Sequence, residues 1–181
     1  PTYENFDGLL KVERSLYKDD RGSFFRIFSS DIMNFFKLDS SNTQINYSLT
    51  KTIGTIRGMH YQIPPYAEKK LVTCISGKVY DVAIDLRQSS KTFLQYYNQV
   101  LSEENYDSLI IPEGFAHGFQ ALEKNSILIY MHSKPYNQEY EQGISPIDPM
   151  LNINWPIKKK AISKKDNSRF FLSENYDGIQ L

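Results

Sequence analysis

Two short segments carry the side chains best suited to chemistry: Arg57-Gly58-Met59-His60-Tyr61-Gln62 and Pro112-Glu113-Gly114-Phe115-Ala116-His117-Gly118-Phe119. Each holds an imidazole, the side chain whose ordinary titration lies nearest neutral pH and so the readiest general base or acid. Arg57 stands three residues before His60, and a guanidinium fork suits diphosphate oxygens. Lys70 follows at the head of an apolar run; its ammonium donates hydrogen bonds and offers no lone pair to a metal. This set points to proton transfer next to a fixed positive charge.

The elements that must position these groups read as strands. Runs rich in Tyr, Phe, Val, Ile and Thr recur between turn residues. They cover Leu9–Arg14, Phe24–Phe28, Thr43–Leu49, Thr55–Tyr61, Lys70–Ile75, Lys78–Leu86, Phe93–Leu101, Ser108–Ile111, His117–Ala121 and Ser126–Met131. Ser76-Gly77-Lys78 reads as a tight hairpin between two of them. Ser30–Leu38 is the one helical stretch in the first two thirds, with Asp31 near its start. Many strands with little helix predict an all-β sandwich or barrel. After about Pro135 the chain turns polar and turn-rich, as in a tail that wraps the barrel and closes one mouth.

Bulk properties narrow the partners. A length of 181 residues suits one domain over 1–181, with 40% hydrophobic and 23% charged residues. Twenty-one basic residues balance twenty-one acidic ones, which gives no case for nucleic acid or a membrane surface as bulk partner. The single Cys74 sits in an apolar run and suggests a reducing compartment. No apolar run approaches the roughly 20 residues that span a bilayer, and the N-terminus lacks a signal-peptide pattern. The expectation is a cytoplasmic protein.

The two segments resemble the paired strand-and-turn motifs of a cupin barrel: Gly54, five residues, His60, and then Pro-x-Gly-x-x-His. A metal-binding cupin has a second His where this chain has Gln62, and a Glu where it has Lys70. Two imidazoles alone are too few ligands for a divalent site, so the resemblance implies a barrel that kept its His residues without a metal. A longer ordered series sharpens it: Asp20-Arg21-Gly22, Arg57–Gln62, Lys70-Leu71-Val72, Asp81–Arg87, Ile111–Phe119, Trp155-Pro156 and Ser163-Lys164-Lys165-Asp166. From about residue 8 to 170 the chain resembles the dTDP-4-dehydrorhamnose 3,5-epimerase family.

That resemblance implies a substrate, a nucleotide-diphosphate 4-keto-6-deoxy sugar whose C4 ketone acidifies C3 and C5, and a place in surface carbohydrate biosynthesis. It implies His60 as base with Asp166 orienting its ring, Tyr130 as proton donor on the other face, and Lys70 as the cation near the keto oxygen. No cofactor is needed. Asp166 also sits where it could simply cap a short helix, and His117 suits either a substrate contact or a structural place in the barrel. Arg21 and Arg57 match phosphate and nucleotide contacts, Gln44 and Asn46 polar positions on the nucleotide side, and Tyr136 the aromatic that stacks on the base. Glu141 and Lys165 match further binding positions.

The family further implies a homodimer with an exchanged N-terminal strand, so that Phe24–Phe28 serves the nucleotide in trans. His132, outside every motif, is expected at the surface, and Lys158–Lys160 as a solvated face. Regular alternation would put Arg57 and His60 on opposite faces, so a bulge or turn at Gly58 is required for both to reach one ligand. The sequence departs from the family at Arg26, where a Glu is usual. Arg is donor-only and cannot accept from thymine's ring N–H, though it could donate to guanine acceptors or face solvent. GDP-linked 4-keto-heptose epimerases, C3-only epimerases, carbonyl-shifting isomerases and a non-catalytic sugar-nucleotide-binding cupin therefore stay open.

Overall fold

The structure, a computed structural model, describes residues 2–3, 6–36 and 43–181. Its first sheet contains β1 (Thr2–Tyr3), β2 (Leu10–Val12), β5 (Gln44–Thr50), β7 (Lys70–Ser76), β10 (Ser108–Ile111) and β12 (Ser126–His132), in the order β1-β2-β10-β7-β12-β5. The second contains β6 (Thr55–Gln62), β8 (Lys78–Asp85), β9 (Tyr96–Ser102), β11 (Phe115–Ala121) and β13 (Glu141–Gly143), in the order β13-β6-β11-β8-β9. A short β14 (Ala161–Ile162) adds in parallel to β6, and among the described residues β3 (Tyr17–Asp19) pairs only with β4 (Gly22–Phe24). The two large sheets face each other as a cupin-type sandwich.

Three apolar layers account for the length of the hydrophobic runs. Val72, Cys74, Leu101, Leu109, Phe119 and Leu128 fill the space between the sheets. Leu71, Ile110 and Met131 point out of the first sheet, where Phe28 and, from α1 (Ser30–Phe36), Ile32 cover them. Val82, Ile84 and Ile144 point out of the second, covered by Ile153, Trp155 and Tyr176 of the tail. Strands buried on both faces lose the apolar/polar alternation of a half-exposed sheet, so β7 and β8 read as continuous apolar stretches.

Several expected elements shift. Leu9–Arg14 forms pairing only over β2, and Phe93–Leu101 begins at Tyr96 because Leu94 turns the chain at φ +61. The expected strand Phe24–Phe28 ends at Phe24: Phe25 packs edge-on against Tyr106 at 5.1 Å, and Phe28 drops onto the first sheet. The helix expected to Leu38 runs Ser30–Phe36, and residues 37–38 lie outside the described residues. Ser76-Gly77-Lys78 is no hairpin, since β7 and β8 belong to different sheets. Gly77, at φ +69 and close against Ser126, redirects the chain across the sandwich, a corner that sequence alone does not separate from a tight turn.

The required irregularity at Gly58 is present. His117 lies opposite His60, yet Phe119 lies opposite Arg57. Gly58 and Met59 thus face the single Gly118, a β-bulge whose extra residue reverses side-chain parity and brings Arg57 and His60 to the same cavity. Gly58 adopts φ +119, and a Cβ there would lie 2.6 Å from Gly118 Cα. Gly58→Ala is expected to cost about 2–5 kcal/mol, combining the penalty of left-handed backbone with overpacking. Denaturant unfolding measures it, and wild-type stability in the variant would show that the two backbones separate freely.

Candidate active site

A cavity of about 730 Å³ opens between the sheets. The first sheet supplies two adjacent cross-strand rows: Lys70, His132 and Gln44 on β7, β12 and β5, then Tyr130 and Asn46 on β12 and β5. The second sheet supplies Arg57, His60 and His117. The edge strand β13 supplies Glu141, and the chain beyond it Lys165 and Asp166. Asp166 belongs to α2 (Lys164–Asn167), a single turn whose N-cap Ser163 accepts from the Asp166 N–H at 3.0 Å. Cap and site partner are therefore the same residue in two capacities.

His60 Nε2 lies 2.6 Å from Asp166 Oδ1, and the other carboxylate oxygen accepts the Gly58 N–H at 3.3 Å. Burial alone would raise the Asp166 carboxyl. The His60 hydrogen bond and charge, with the Gly58 and Ser163 contacts, outweigh it and hold the group below the usual carboxylate range. With Nε2 engaged, His60 keeps Nδ1 for an incoming proton. Tyr130 comes from the facing sheet. Burial and the nearby Asp81 push its phenol up, against smaller opposing effects of Ser48 and Arg57, so it stays protonated near neutral pH.

Two further pairs sit deeper. His117 Nε2 lies 3.0 and 2.9 Å from the two oxygens of fully buried Asp81, and the His117 ring stands edge-on to Tyr130 at 5.9 Å. Lys70 Nζ lies 3.1 Å from Glu68 Oε1, with both side chains buried. Arg57 instead donates to two neutral oxygens, Thr50 Oγ1 at 3.1 Å and Leu49 O at 3.2 Å. A carboxylate-oriented imidazole and a protonated phenol from opposite sheets can take and give a proton on opposite faces of one ring. The ammonium can meet a developing oxyanion, and the guanidinium, which meets no carboxylate among the described residues, can meet a phosphate.

A sequence model of the family described as dTDP-4-dehydrorhamnose 3,5-epimerase matches residues 4–174. The Shigella flexneri protein of that name is 39% identical over 170 residues, covering 93% of each chain. Among solved structures, the Bacillus anthracis dTDP-4-dehydrorhamnose 3,5-epimerase with TDP and PPi bound is 35% identical, with a TM-score of 0.88 over 94% of this chain and 97% of that one. The Legionella pneumophila dTDP-6-deoxy-D-glucose-3,5-epimerase in complex with dTDP-4-keto-L-rhamnose is also 35% identical, with a TM-score of 0.86 over 93% of this chain and 89% of that one. This chain belongs to the dTDP-4-dehydrorhamnose 3,5-epimerase family.

Against that family's motifs, the fold gathers His60, Tyr130, Asp166 and Lys70 at one cavity, together with Gln44, Asn46, Arg57 and His117. Tyr136, Glu141 and Lys165 line it as well; Gln44 Oε1 accepts the Tyr136 N–H at 3.1 Å, and Glu141 accepts from Lys165 at 2.6 Å and from Arg169. Arg21, Phe24 and Arg26 are not brought to this cavity within one chain. Arg21 is spent on Asp19 at the hairpin tip, while Phe24 and Arg26 border a separate groove with Arg14. His132 corrects an expectation: it is no surface residue but a cavity residue, with Nδ1 3.8 Å from Glu68. Strand alternation from Tyr130 would have found it. The same rule places Asp81 inward on β8, whereas Glu68 precedes its strand and carries no periodic signal.

The depressed Asp166 carboxyl makes a signed prediction. Its ionised form is favoured in the folded state, so it stabilises the fold above the ordinary carboxylate range and that contribution is lost as pH falls through the lowered folded value. The stability gap between wild type and Asp166→Asn should be widest at neutral pH and should close on acidification below about pH 4. A gap independent of pH, measured by urea unfolding, would contradict an ionised Asp166 held by its hydrogen bonds.

Proposed function

We propose that this protein is a metal-independent epimerase that inverts C3 and C5 of a dTDP-linked 4-keto-6-deoxy sugar, acting as one domain in the cytoplasm on the way to surface carbohydrate. The observation that carries the reading is His60 on one sheet, held by Asp166 of α2, at the same cavity as Tyr130 on the other sheet, with Lys70 lining it as well. His60 Nδ1 takes the proton from C3 or C5, and the C–H electrons move onto the C4 oxygen. Lys70 donates to that enolate oxygen, and Tyr130 returns a proton to the carbon from the far face. His117, held by Asp81, backs Tyr130 by the edge-on ring contact.

Arg57 holds the diphosphate, and Gln44, Asn46, Tyr136, Glu141 and Lys165 receive the nucleotide side. The positions a metal cupin would use hold Gln62 and Lys70, both bound to Glu68 in an ion-paired cluster, so the fixed ammonium does the work of the electrophile. Cys74 takes no part, its thiol pushed up to about 12 by burial. Among the described residues no helix is long and apolar enough to cross a membrane.

The working unit in this proposal is a homodimer. The β3–β4 hairpin pairs with neither large sheet, and Tyr17 and Phe24 are 71% and 62% exposed on it. Two strands alone are barely stable in water, and exposed aromatics on such a ribbon suit an interface. Arg21, Phe24 and Arg26 then serve the partner's nucleotide. A monomeric mass at micromolar concentration would count against this arrangement.

Incubation in heavy water with dTDP- and GDP-linked 4-keto sugars tests the whole reading. Deuterium is expected at both C3 and C5 of the dTDP sugar. Label at C3 alone would mark a C3 epimerase, and reaction of the GDP sugar alone would shift the base assignment to Arg26. His60→Asn should lower exchange at both carbons by about 10²–10⁴. Tyr130→Phe should leave exchange without full inversion, and a chelator should leave the rate unchanged. Wild-type exchange in the His60 variant would remove the base assignment.

A further inference from the structure

We propose that Glu68 is a positioning residue: it clamps the Lys70 ammonium so that one N–H is left aimed at the reacting oxygen. This proposal rests on the reading of the cavity as the epimerase site. An ammonium has three donors and a flexible four-carbon stem, so by itself it has no preferred direction. Here two donors are committed to the protein, one to Glu68 Oε1 and one to the His60 carbonyl oxygen, each at 3.1 Å. The remaining donor belongs to a group that lines the cavity. The second of these anchors ties the ammonium to the backbone of the residue that carries the base.

Glu68 is itself held from several directions. Its second oxygen accepts from Gln62 Nε2, and Gln62 is fixed in turn by the Tyr66 carbonyl at 3.0 Å and by the Asn137 N–H, which donates to its Oε1 at 2.7 Å. His132 stands farther off, its Nδ1 3.8 Å from the same Oε1 that meets Lys70. Burial lowers the His132 imidazole, only partly offset by Glu68, so near neutral pH it brings no second positive charge to the carboxylate that holds Lys70. Both members of the Glu68–Lys70 pair are close to fully buried, at 5% and 6% side-chain exposure. In that setting an ion pair fixes geometry more surely than it adds stability.

The test uses Glu68→Gln, which keeps the shape and removes the charge. It should lower kcat about 100-fold, the scale of a 1 Å misplacement of a catalytic group, and leave KM within about twofold because the nucleotide contacts lie elsewhere. In a Lys70→Met background the same change should add nothing, since the two residues act as a unit. Glu68→Asp covers the case in which the Gln variant fails to fold, and should fall between the two. Losses that multiply in the double variant would overturn the proposal. If wild-type protein exchanges no solvent deuterium into either nucleotide sugar, the epimerase reading itself fails. The clamp is then judged without turnover, by acetic anhydride labelling of Lys70 followed by mass spectrometry. Labelling should rise several-fold in Glu68→Gln, and an unchanged rate would overturn the clamp.

Discussion

One extra residue in β6 governs this site. A regular strand would send the Arg57 and His60 side chains to opposite faces, one into the cavity and one away from it. The bulge opposite Gly118 restores a shared face, and it needs two glycines because the backbones approach too closely for a Cβ on either strand. It also leaves the Gly58 N–H to donate to Asp166, the carboxylate that orients His60. The irregularity and the imidazole are thus served by one acceptor. That acceptor comes from α2, reached through β14, which lies parallel on β6. The tail is therefore part of the site rather than a cover added to it.

Charge pairing inside the cavity follows one pattern. Asp81, Glu68, Asp166 and Glu141 each meet a cation or an imidazole, at His117, Lys70, His60 and Lys165 respectively. Burying a carboxylate without such a partner costs several kcal/mol, so each pair is a condition for placing charge there at all. Arg57 departs from the pattern. It is exposed, and among the described residues its side chain meets a hydroxyl and a carbonyl and no carboxylate, so its positive charge stays available to an anion. A site of neutralised pairs with one open guanidinium suits a substrate that carries its negative charge at one end, on a diphosphate.

Sequence made the site legible where residue type and local spacing agree, and obscure where tertiary contacts decide. His60, Lys70 and Tyr130 stand in motifs, and alternation alone demanded the bulge. His132 was hidden because it lies outside those motifs, although it is two residues from Tyr130 on the same strand face. Glu68 lies in the loop before β7, and only the fold brings it under Lys70. The corner at Gly77 shows the opposite limit. A glycine between two apolar runs fits a hairpin and a sheet-switching bend equally well, and only the strand order separates them. Arg21 and Phe24 of the hairpin, and Arg26 just after it, do not line the cavity of this chain, so neither local spacing nor packing within one chain accounts for their types.

The first sheet converts core into cavity over two cross-strand rows. Cys74, Leu128 and Ser48 form a mainly apolar row; the next is Val72, Tyr130 and Asn46; the next is Lys70, His132 and Gln44. All three rows lie on the same face of the same strands, so the change is made by side chains alone. Apolar packing at Leu128 and Val72 fixes the spacing of the sheets. Two residues further along each strand, that fixed spacing becomes the distance across which groups on facing sheets act. Ring chemistry at two opposed faces asks for that separation, and the packing of the sandwich provides it.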